Sequence, residues 1–216
     1  MGALTEHTPK PMILLHGRPV LEYVIESLPP HCDDVIIVVK YHQEKIREHF
    51  GSEYHGKCIR YVEQKDLNGT GGALWDVQEL LTGSFLVVNG DDVCLAEDVA
   101  ACASSPDWAV LVQEVSELGS AAQVMLDEQG LVADILEKEK HSGGPGLANT
   151  ANFFLLDTRI FSYDLALRPG SDTEYGLPQT VVQAVHDIPL HPVYAGAIIR
   201  LTSPEDIPQA ESLLAT

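Results

Sequence analysis

The chain is short of positive charge. Its 216 residues include 13 lysines and arginines against 32 aspartates and glutamates, which gives a formal net charge of −19. Proteins that bind nucleic acids or anionic membranes need a basic surface, so this balance argues against both kinds of partner. An acidic protein that binds phosphates must concentrate its few cations at the site. Each lysine or arginine in a loop is therefore a candidate phosphate ligand.

Several signals of other protein classes are missing as well. The four cysteines form no CxxC pair and the nine histidines show no HExxH spacing, so the sequence predicts no zinc site. No apolar run reaches membrane-spanning length, and no signal peptide is recognisable. With reduced thiols and neither of these features, the sequence predicts a cytoplasmic protein. It leaves the oligomeric state open, and a homo-oligomer is compatible with it.

The stretch Phe85–Asp92, FLVVNGDD, is the most informative part of the chain. Four apolar residues followed by Asn-Gly indicate a buried strand of the parallel type that ends in a sharp turn. Asp91 and Asp92 then fall at the carboxyl end of the strand, where ligands bind in open α/β sheets. Adjacent carboxylates suit a hard cation such as Mg²⁺, which is often shared with substrate phosphates. A polar strand-to-loop turn would explain the same residues without a ligand.

Two loops add candidates for anion binding. Pro9 and Pro11 hold the backbone extended around Lys10, which could contact a phosphate or could simply be solvated. Asn68–Leu74, NGTGGAL, is a glycine-rich turn that leads into a helix, whose N-terminus favours anions. It is not a Walker motif, because no Lys-Ser/Thr pair follows the glycines.

Strands and helices alternate up to Asp92, and short strands around a turn at Asp127–Gly130 follow. We therefore expect a three-layer α/β/α Rossmann-like fold with a mainly parallel mixed sheet and a ligand cleft at the carboxyl ends of its strands. We expect one domain over residues 1–216, since no linker or low-complexity tract interrupts the chain. Trp75 and Trp108 are expected in the core or in helix packing.

Seven segments carry a further pattern in their order and spacing. They are LTEHTPKPM, GRPVLEYVI, Gln64 followed five residues later by Gly69-Thr70, VVNGDD, ILEKEK, LANTANFFLLD and TSPEDIPQAESLL. Together they resemble the sugar-1-phosphate nucleotidylyltransferase family over nearly the whole chain. The resemblance implies an enzyme that joins a nucleoside triphosphate to a sugar 1-phosphate, uses Mg²⁺ and releases pyrophosphate. About residues 1–105 would form the nucleotide-binding half and about residues 106–216 the sugar-binding half.

The resemblance also assigns roles to individual residues. The candidates are, for catalysis, Lys10, Asp91 and Lys138; for nucleotide binding, Gln64, Gly69 and Thr70; and for sugar binding, Glu137 and Asn149. Asp91 is the implied metal ligand, and Asp92 is expected to be a structural neighbour. Glu137 and Lys138 could instead form a surface ion pair of little energetic value.

The implied reaction needs no nucleophile from the protein. The attacking group is the phosphate of the sugar 1-phosphate, which is already ionised, so no Ser-His-Asp or Cys-His constellation is needed. Gln64 carries a donor and an acceptor on one amide, which matches the mixed edge of uracil or thymine. Guanine presents two donors on this edge, N1–H and N2–H₂, and a carboxylate acceptor would match them better. We therefore expect a preference for UTP or dTTP over GTP.

The sequence departs from the family pattern in three places. The family has a buried strand and a GxGTR loop before the LTEHTPKPM segment, and neither is found here. Arg200 lies near the place of a second metal-binding aspartate, and Ala151 replaces a usual glycine. We therefore expect an N-terminally shortened, impaired enzyme, with a gap or an unpaired edge in mid-sheet or another segment filling it. The alternative is a non-catalytic regulatory relative that binds nucleotides or sugar nucleotides.

Overall fold

The structure is a computed structural model that describes residues 8–149, 151–201 and 203–214. Parts of the LTEHTPKPM, LANTANFFLLD and TSPEDIPQAESLL segments (residues 4–7, 150 and 202) lie outside these ranges. The strands are β1 (Leu14–Leu15), β2 (Arg18–Pro19), β3 (Asp34–Val39), β4 (Glu53–Tyr54), β5 (Lys57–Glu63), β6 (Ser84–Val87), β7 (Asp92–Cys94), β8 (Trp108–Val115), β9 (Ala122–Leu126), β10 (Val132–Leu136), β11 (Gly146–Asn149), β12 (Phe154–Asp157), β13 (Leu190–Tyr194) and β14 (Ile198–Arg200). The α-helices are α1 (Val20–Ser27), α2 (Gln43–Phe50), α3 (Gly69–Trp75), α4 (Ala96–Ala103), α5 (Leu177–Val182) and α6 (Asp206–Leu214).

The largest sheet has the strand order β10-β9-β11-β8-β12-β6, with β13 paired to β8. Within it only β13 runs parallel to its neighbour. A separate sheet has the order β3-β5-β4, in which β3 and β5 are parallel. The described strands thus form a mixed arrangement in which antiparallel pairs outnumber parallel ones, although we expected mainly parallel pairing. Short connections in the second half join antiparallel neighbours, whereas parallel pairs need long crossovers.

Local sequence explains several elements directly. Helix α1 follows Pro19 and buries Val20, Leu21, Val24 and Ile25, the apolar face that the sequence predicts. Helix α2 ends at Gly51, which has a φ of +60°. The hairpin expected around residues 127–130 is formed by β9 and β10.

Other features differ from the expectation or complete it. The helix expected after the glycine-rich turn is α3, which ends at Trp75, and a separate 3-10 helix covers Gln78–Leu80. Trp108 is buried in the core, and Trp75 packs edge-on against Phe161, as expected of packing residues. The four cysteines are free thiols. Throughout the described ranges, no helix is long and apolar enough to span a membrane.

Strands β3 and β6 each have one open edge among the described residues. Strand β3 pairs only with β5, and β6 pairs only with β12, in antiparallel rather than parallel orientation. Both strands place side chains on the same apolar cluster, Ile36 and Val38 from one and Phe85 and Val87 from the other. The side chains in the middle of both strands are nevertheless only half-buried. The open edges explain why strands predicted to be fully buried retain exposure.

Candidate functional site

The loop after β6 brings Lys10 and Asp91 together. Gly90 lies against Pro11, so that a Cβ added at Gly90 would be 3.3 Å from the Cγ of the proline. Lys10 begins a short 3-10 helix, Lys10–Met12, instead of lying in the extended loop that the two prolines predicted, and this contact holds the helix near the carboxyl end of β6. The Lys10 Nζ lies 3.7 Å from the Asp91 Oδ2, and the two side chains stay 45% and 26% exposed. Both charges are therefore accessible to a ligand.

The neighbouring carboxylate of Asp92 is buried instead. Its Oδ2 accepts a hydrogen bond from the Asn89 Nδ2 at 2.8 Å, but its Oδ1 has no partner among the residues described. Burial, and then the adjacent charge of Asp91, raises the pKa of Asp92 to about 7. A cation beside this buried carboxylate would stabilise its ionised form.

The donor set at this edge fits Mg²⁺ if substrate phosphates complete the coordination. Mg²⁺ usually takes one or two carboxylates from the protein and keeps waters or phosphates as its other ligands. Asp91 can supply an accessible carboxylate, and the orphan oxygen of Asp92 lies next to it in sequence. Within the described ranges, no group of three or more histidine, cysteine, aspartate or glutamate side chains could hold a metal by itself.

Gln64 lies just beyond β5, and its amide is fixed by the glycine-rich turn. The Nε2 donates to the Asn68 Oδ1 at 3.1 Å and to the Gly69 carbonyl at 3.3 Å. Both amide donors therefore point at the turn. The amide oxygen is left as the group that can accept a hydrogen bond from a base, whereas the amide donor that we expected to meet uracil or thymine is engaged within the chain.

The glycine-rich turn packs against another part of the chain. Gly69 has a φ of +88°, and a Cβ at this position would clash with the carbonyl oxygen of Tyr175. The Gly71 N–H donates to that same oxygen at 2.9 Å, and the Thr70 Oγ1 accepts from the Leu177 N–H at 3.0 Å. These residues thus join α3 to the segment that begins α5. Ligand binding by Gly69 and Thr70 stays a prediction beside this packing role.

Gly69→Ala should destabilise the fold strongly. The alanine would need both an unfavourable positive φ and space that the Tyr175 backbone occupies, a combined cost of about 2–5 kcal/mol. Gly83→Ala is the matched control, since Gly83 also has a positive φ, +61°, but nothing lies within 4 Å of its added Cβ. Thermal unfolding of both variants checks this, and equal losses of stability would contradict the packing account.

A cavity of about 240 Å³ lies between β10 and α5. The Glu137 Oε1 at its edge accepts a hydrogen bond from the Gln179 Nε2 at 2.9 Å, while the Gln179 Oε1 is buried without a partner in the described part of the chain. The lining residues are Asp134, Ile135, Glu137, Lys140, Leu167, Pro169, Gln179 and Val182. The cavity therefore includes one predicted sugar-binding residue and adds two polar candidates, Lys140 and Gln179.

Two other predicted residues lie outside this cavity lining. Lys138 is exposed at the start of a 3-10 helix, Lys138–Lys140, and the cation that lines the cavity is Lys140. Asn149 is buried, and its Oδ1 accepts from the Asn152 N–H at 3.1 Å, which stabilises the turn after β11. Their roles toward a sugar remain predictions.

A comparison with known protein families defines the class to which this fold belongs. The nucleotidyl transferase family matches residues 2–189, and the chain belongs to this family. The expected sugar-1-phosphate nucleotidylyltransferase family and the α/β Rossmann-like fold class are thereby confirmed.

Particular relatives make the similarity concrete. The bifunctional protein GlmU of Methanocaldococcus jannaschii is 34% identical over 158 residues, which are 73% of this chain and 37% of that protein. The UTP–glucose-1-phosphate uridylyltransferase AglF of Haloferax volcanii is 26% identical over 185 residues, 82% of this chain and 75% of that protein. A crystal structure of UDP-glucose pyrophosphorylase complexed with UDP-glucose has a TM-score of 0.76 at 19% identity and covers all of this chain and 93% of its own. The chain spans well under half the length of GlmU.

Proposed function

We propose that the chain is a sugar-1-phosphate nucleotidylyltransferase. The observation that carries the proposal is the edge where Lys10 meets Asp91, because an accessible ammonium and an accessible carboxylate lie together there, after the carboxyl end of a strand. The cavity at Glu137 supplies a polar pocket for the second substrate. Family membership and the activities named for relatives support the same reaction.

In the proposed reaction, a phosphate oxygen of the sugar 1-phosphate forms a bond to the α-phosphorus of the nucleoside triphosphate. The bond between the α-phosphorus and the oxygen that joins it to the β-phosphorus breaks, and pyrophosphate leaves with the electron pair. Asp91, with Asp92 beside it, would hold Mg²⁺, which neutralises charge on the phosphates when bound. Lys10 would bind a phosphate oxygen, and Lys138 would bind the sugar phosphate. Gln64, Gly69 and Thr70 would position the nucleotide, and Glu137 and Asn149 the sugar.

We propose UTP or dTTP as the preferred nucleotide. The Gln64 amide leaves one acceptor atom, its oxygen, which suits the single N3–H of uracil or thymine, whereas the N1–H and N2–H₂ donors of guanine would be matched better by the two oxygens of a carboxylate. The names of relatives point in two directions, to UTP for the Haloferax uridylyltransferase and to guanylyl transfer for a Campylobacter jejuni heptose 1-phosphate guanylyltransferase that is 29% identical.

Gln64→Glu should shift the nucleotide preference toward GTP. A carboxylate offers two acceptors, while it loses the amide donors that hold the turn, so the ratio of UTP to GTP affinity should fall about tenfold or more. Gln78→Glu, an exposed position in the Gln78–Leu80 helix, adds the same charge elsewhere and should leave the ratio unchanged. A titration in which UTP and GTP compete for each variant measures this ratio of affinities. GTP binding tightest to the unchanged chain would overturn the proposed preference.

We also propose that the 216-residue form is impaired because its sheet is incomplete. The open edges of β3 and β6 among the described residues support this, since both strands face the same apolar cluster. A further strand between them would also carry a loop toward the Lys10–Asp91 edge. Backbone N–H groups of such a loop would bind the triphosphate.

The competing proposal is a regulatory relative that binds nucleotides or sugar nucleotides without turnover. Arg200, which lies near the expected place of a metal-binding aspartate, favours it. Pyrophosphate release, measured over a panel of nucleoside triphosphates and sugar 1-phosphates, separates the two proposals. Release that requires both substrates supports the enzyme, and binding without release supports the regulatory protein.

A further inference from the structure

Arg200 differs from the other arginines in that no bonded partner of its side chain is found within the described ranges. Among the described residues it makes no hydrogen bond and no ion pair, and its side chain is exposed. Every other arginine is engaged, and their contacts are Arg18 with Glu22 and Glu26, Arg47 with Gln43 and Tyr61, Arg60 with Asp34, Arg159 with Asp107 and Asp157, and Arg168 with Glu174. In a chain with 32 acidic residues, an arginine left unpaired is a candidate for binding an anion from outside.

The position of Arg200 relates it to the candidate metal site. Strand β14 pairs with β7 so that Arg200 lies directly opposite Asp92. Side chains opposite each other in an antiparallel pair share one face, with Cβ atoms about 5 Å apart. The charges of Arg200 and of Lys10 both lower the pKa of the Asp92 carboxyl, against the larger effects of burial and Asp91. Four charged groups thus lie around one edge of the structure.

We propose that Arg200 binds a phosphate group of the nucleotide at this edge. This inference rests on the proposed function. A guanidinium carries a permanent charge and presents paired N–H donors that match two phosphate oxygens. Lys10 and Arg200 would then both supply positive charge to the phosphates beside Asp91.

Inorganic pyrophosphate is the probe that tests this assignment without turnover. We expect Arg200→Gln in the 216-residue chain to weaken pyrophosphate binding about tenfold or more at fixed Mg²⁺, since a charged hydrogen-bond donor is lost. Arg200→Lys should recover part of the affinity, because it keeps the charge but not the paired donors. Arg60→Gln is the control, since Arg60 is an exposed arginine paired with Asp34. Calorimetric titration and thermal unfolding of each variant show affinity and folding separately.

The outcomes separate this inference from the proposed function. If Arg200→Gln binds pyrophosphate as tightly as the unchanged chain, or if the unchanged chain binds none, the assignment of Arg200 is wrong. If Arg200→Gln weakens binding but no form of the protein releases pyrophosphate from nucleotides, Arg200 stands as an anion ligand and the proposed catalysis fails. If pyrophosphate is released and Arg200→Gln leaves binding unchanged, only the inference on Arg200 fails.

Discussion

Adding one strand to the chain should raise its stability and restore its activity together. The extension would be about 12–15 residues long, one strand of β-branched residues followed by a GxGTR loop. We expect it to pair with the open edges of β3 and β6, which pair on one side only among the described residues and contribute side chains to the same apolar cluster. Each buried unpaired group costs about 1–3 kcal/mol, so we expect the melting temperature to rise by about 10 °C.

Amide hydrogen exchange locates the effect of the extension. Residues 35–38 and 85–87 should exchange more slowly in the extended chain, because their free edges become hydrogen-bonded. An extension of equal length with proline in mid-strand is the control, since proline cannot donate to either neighbour. If exchange slows elsewhere but not in β3 and β6, the added strand does not occupy the space between them.

Asp91→Asn should abolish turnover in the extended chain. The amide cannot provide the anionic oxygen that Mg²⁺ requires, and the charge that draws the metal beside the phosphates is lost, so the rate should fall at least about a hundredfold at saturating substrates. The fold should be retained, since Asp91 is partly exposed and its one described contact is a 3.7 Å ion pair with Lys10. Steady-state rates over a range of Mg²⁺ concentrations measure the effect.

Asp172→Asn is the control for this variant, because it removes the same charge from an exposed loop position. Its rate and its Mg²⁺ dependence should match those of the unchanged extended chain. A near-normal rate of Asp91→Asn at saturating Mg²⁺ would show that Asp91 is not a ligand of the metal.

The sequence predicts local elements well where short-range chemistry decides them. The apolar spacing of α1, the glycine after α2 and the turn at residues 127–130 act within a few residues, and the structure contains all three. Strand direction is different, because it depends on partners far away in sequence. The apolar run Phe85–Val88 gives no sign that β6 pairs antiparallel with β12.

In the candidate site too, features set by neighbouring residues could be predicted, and features set by residues distant in sequence could not. A strand followed by Gly90 predicts that Asp91 lies at a sheet edge, and the structure places Lys10 beside it. The function of Gly69 could not be read locally, because the backbone of Tyr175, distant in sequence, occupies the space beside it. Lys140 and Gln179 were missed for a similar reason, since the packing of α5 against β10 creates the cavity that they line.

Pyrophosphate release is the measurement that tests the central claim most directly. It should be followed side by side for the 216-residue chain, the extended chain and the extended chain with Asp91→Asn, using UTP or dTTP with a panel of sugar 1-phosphates and Mg²⁺. We predict rapid release that needs both substrates from the extended chain, and release close to background from the other two. An extended chain that folds and binds nucleotide but releases no pyrophosphate with any sugar 1-phosphate would contradict the enzyme, and equal rates for the short and extended chains would contradict the incomplete sheet.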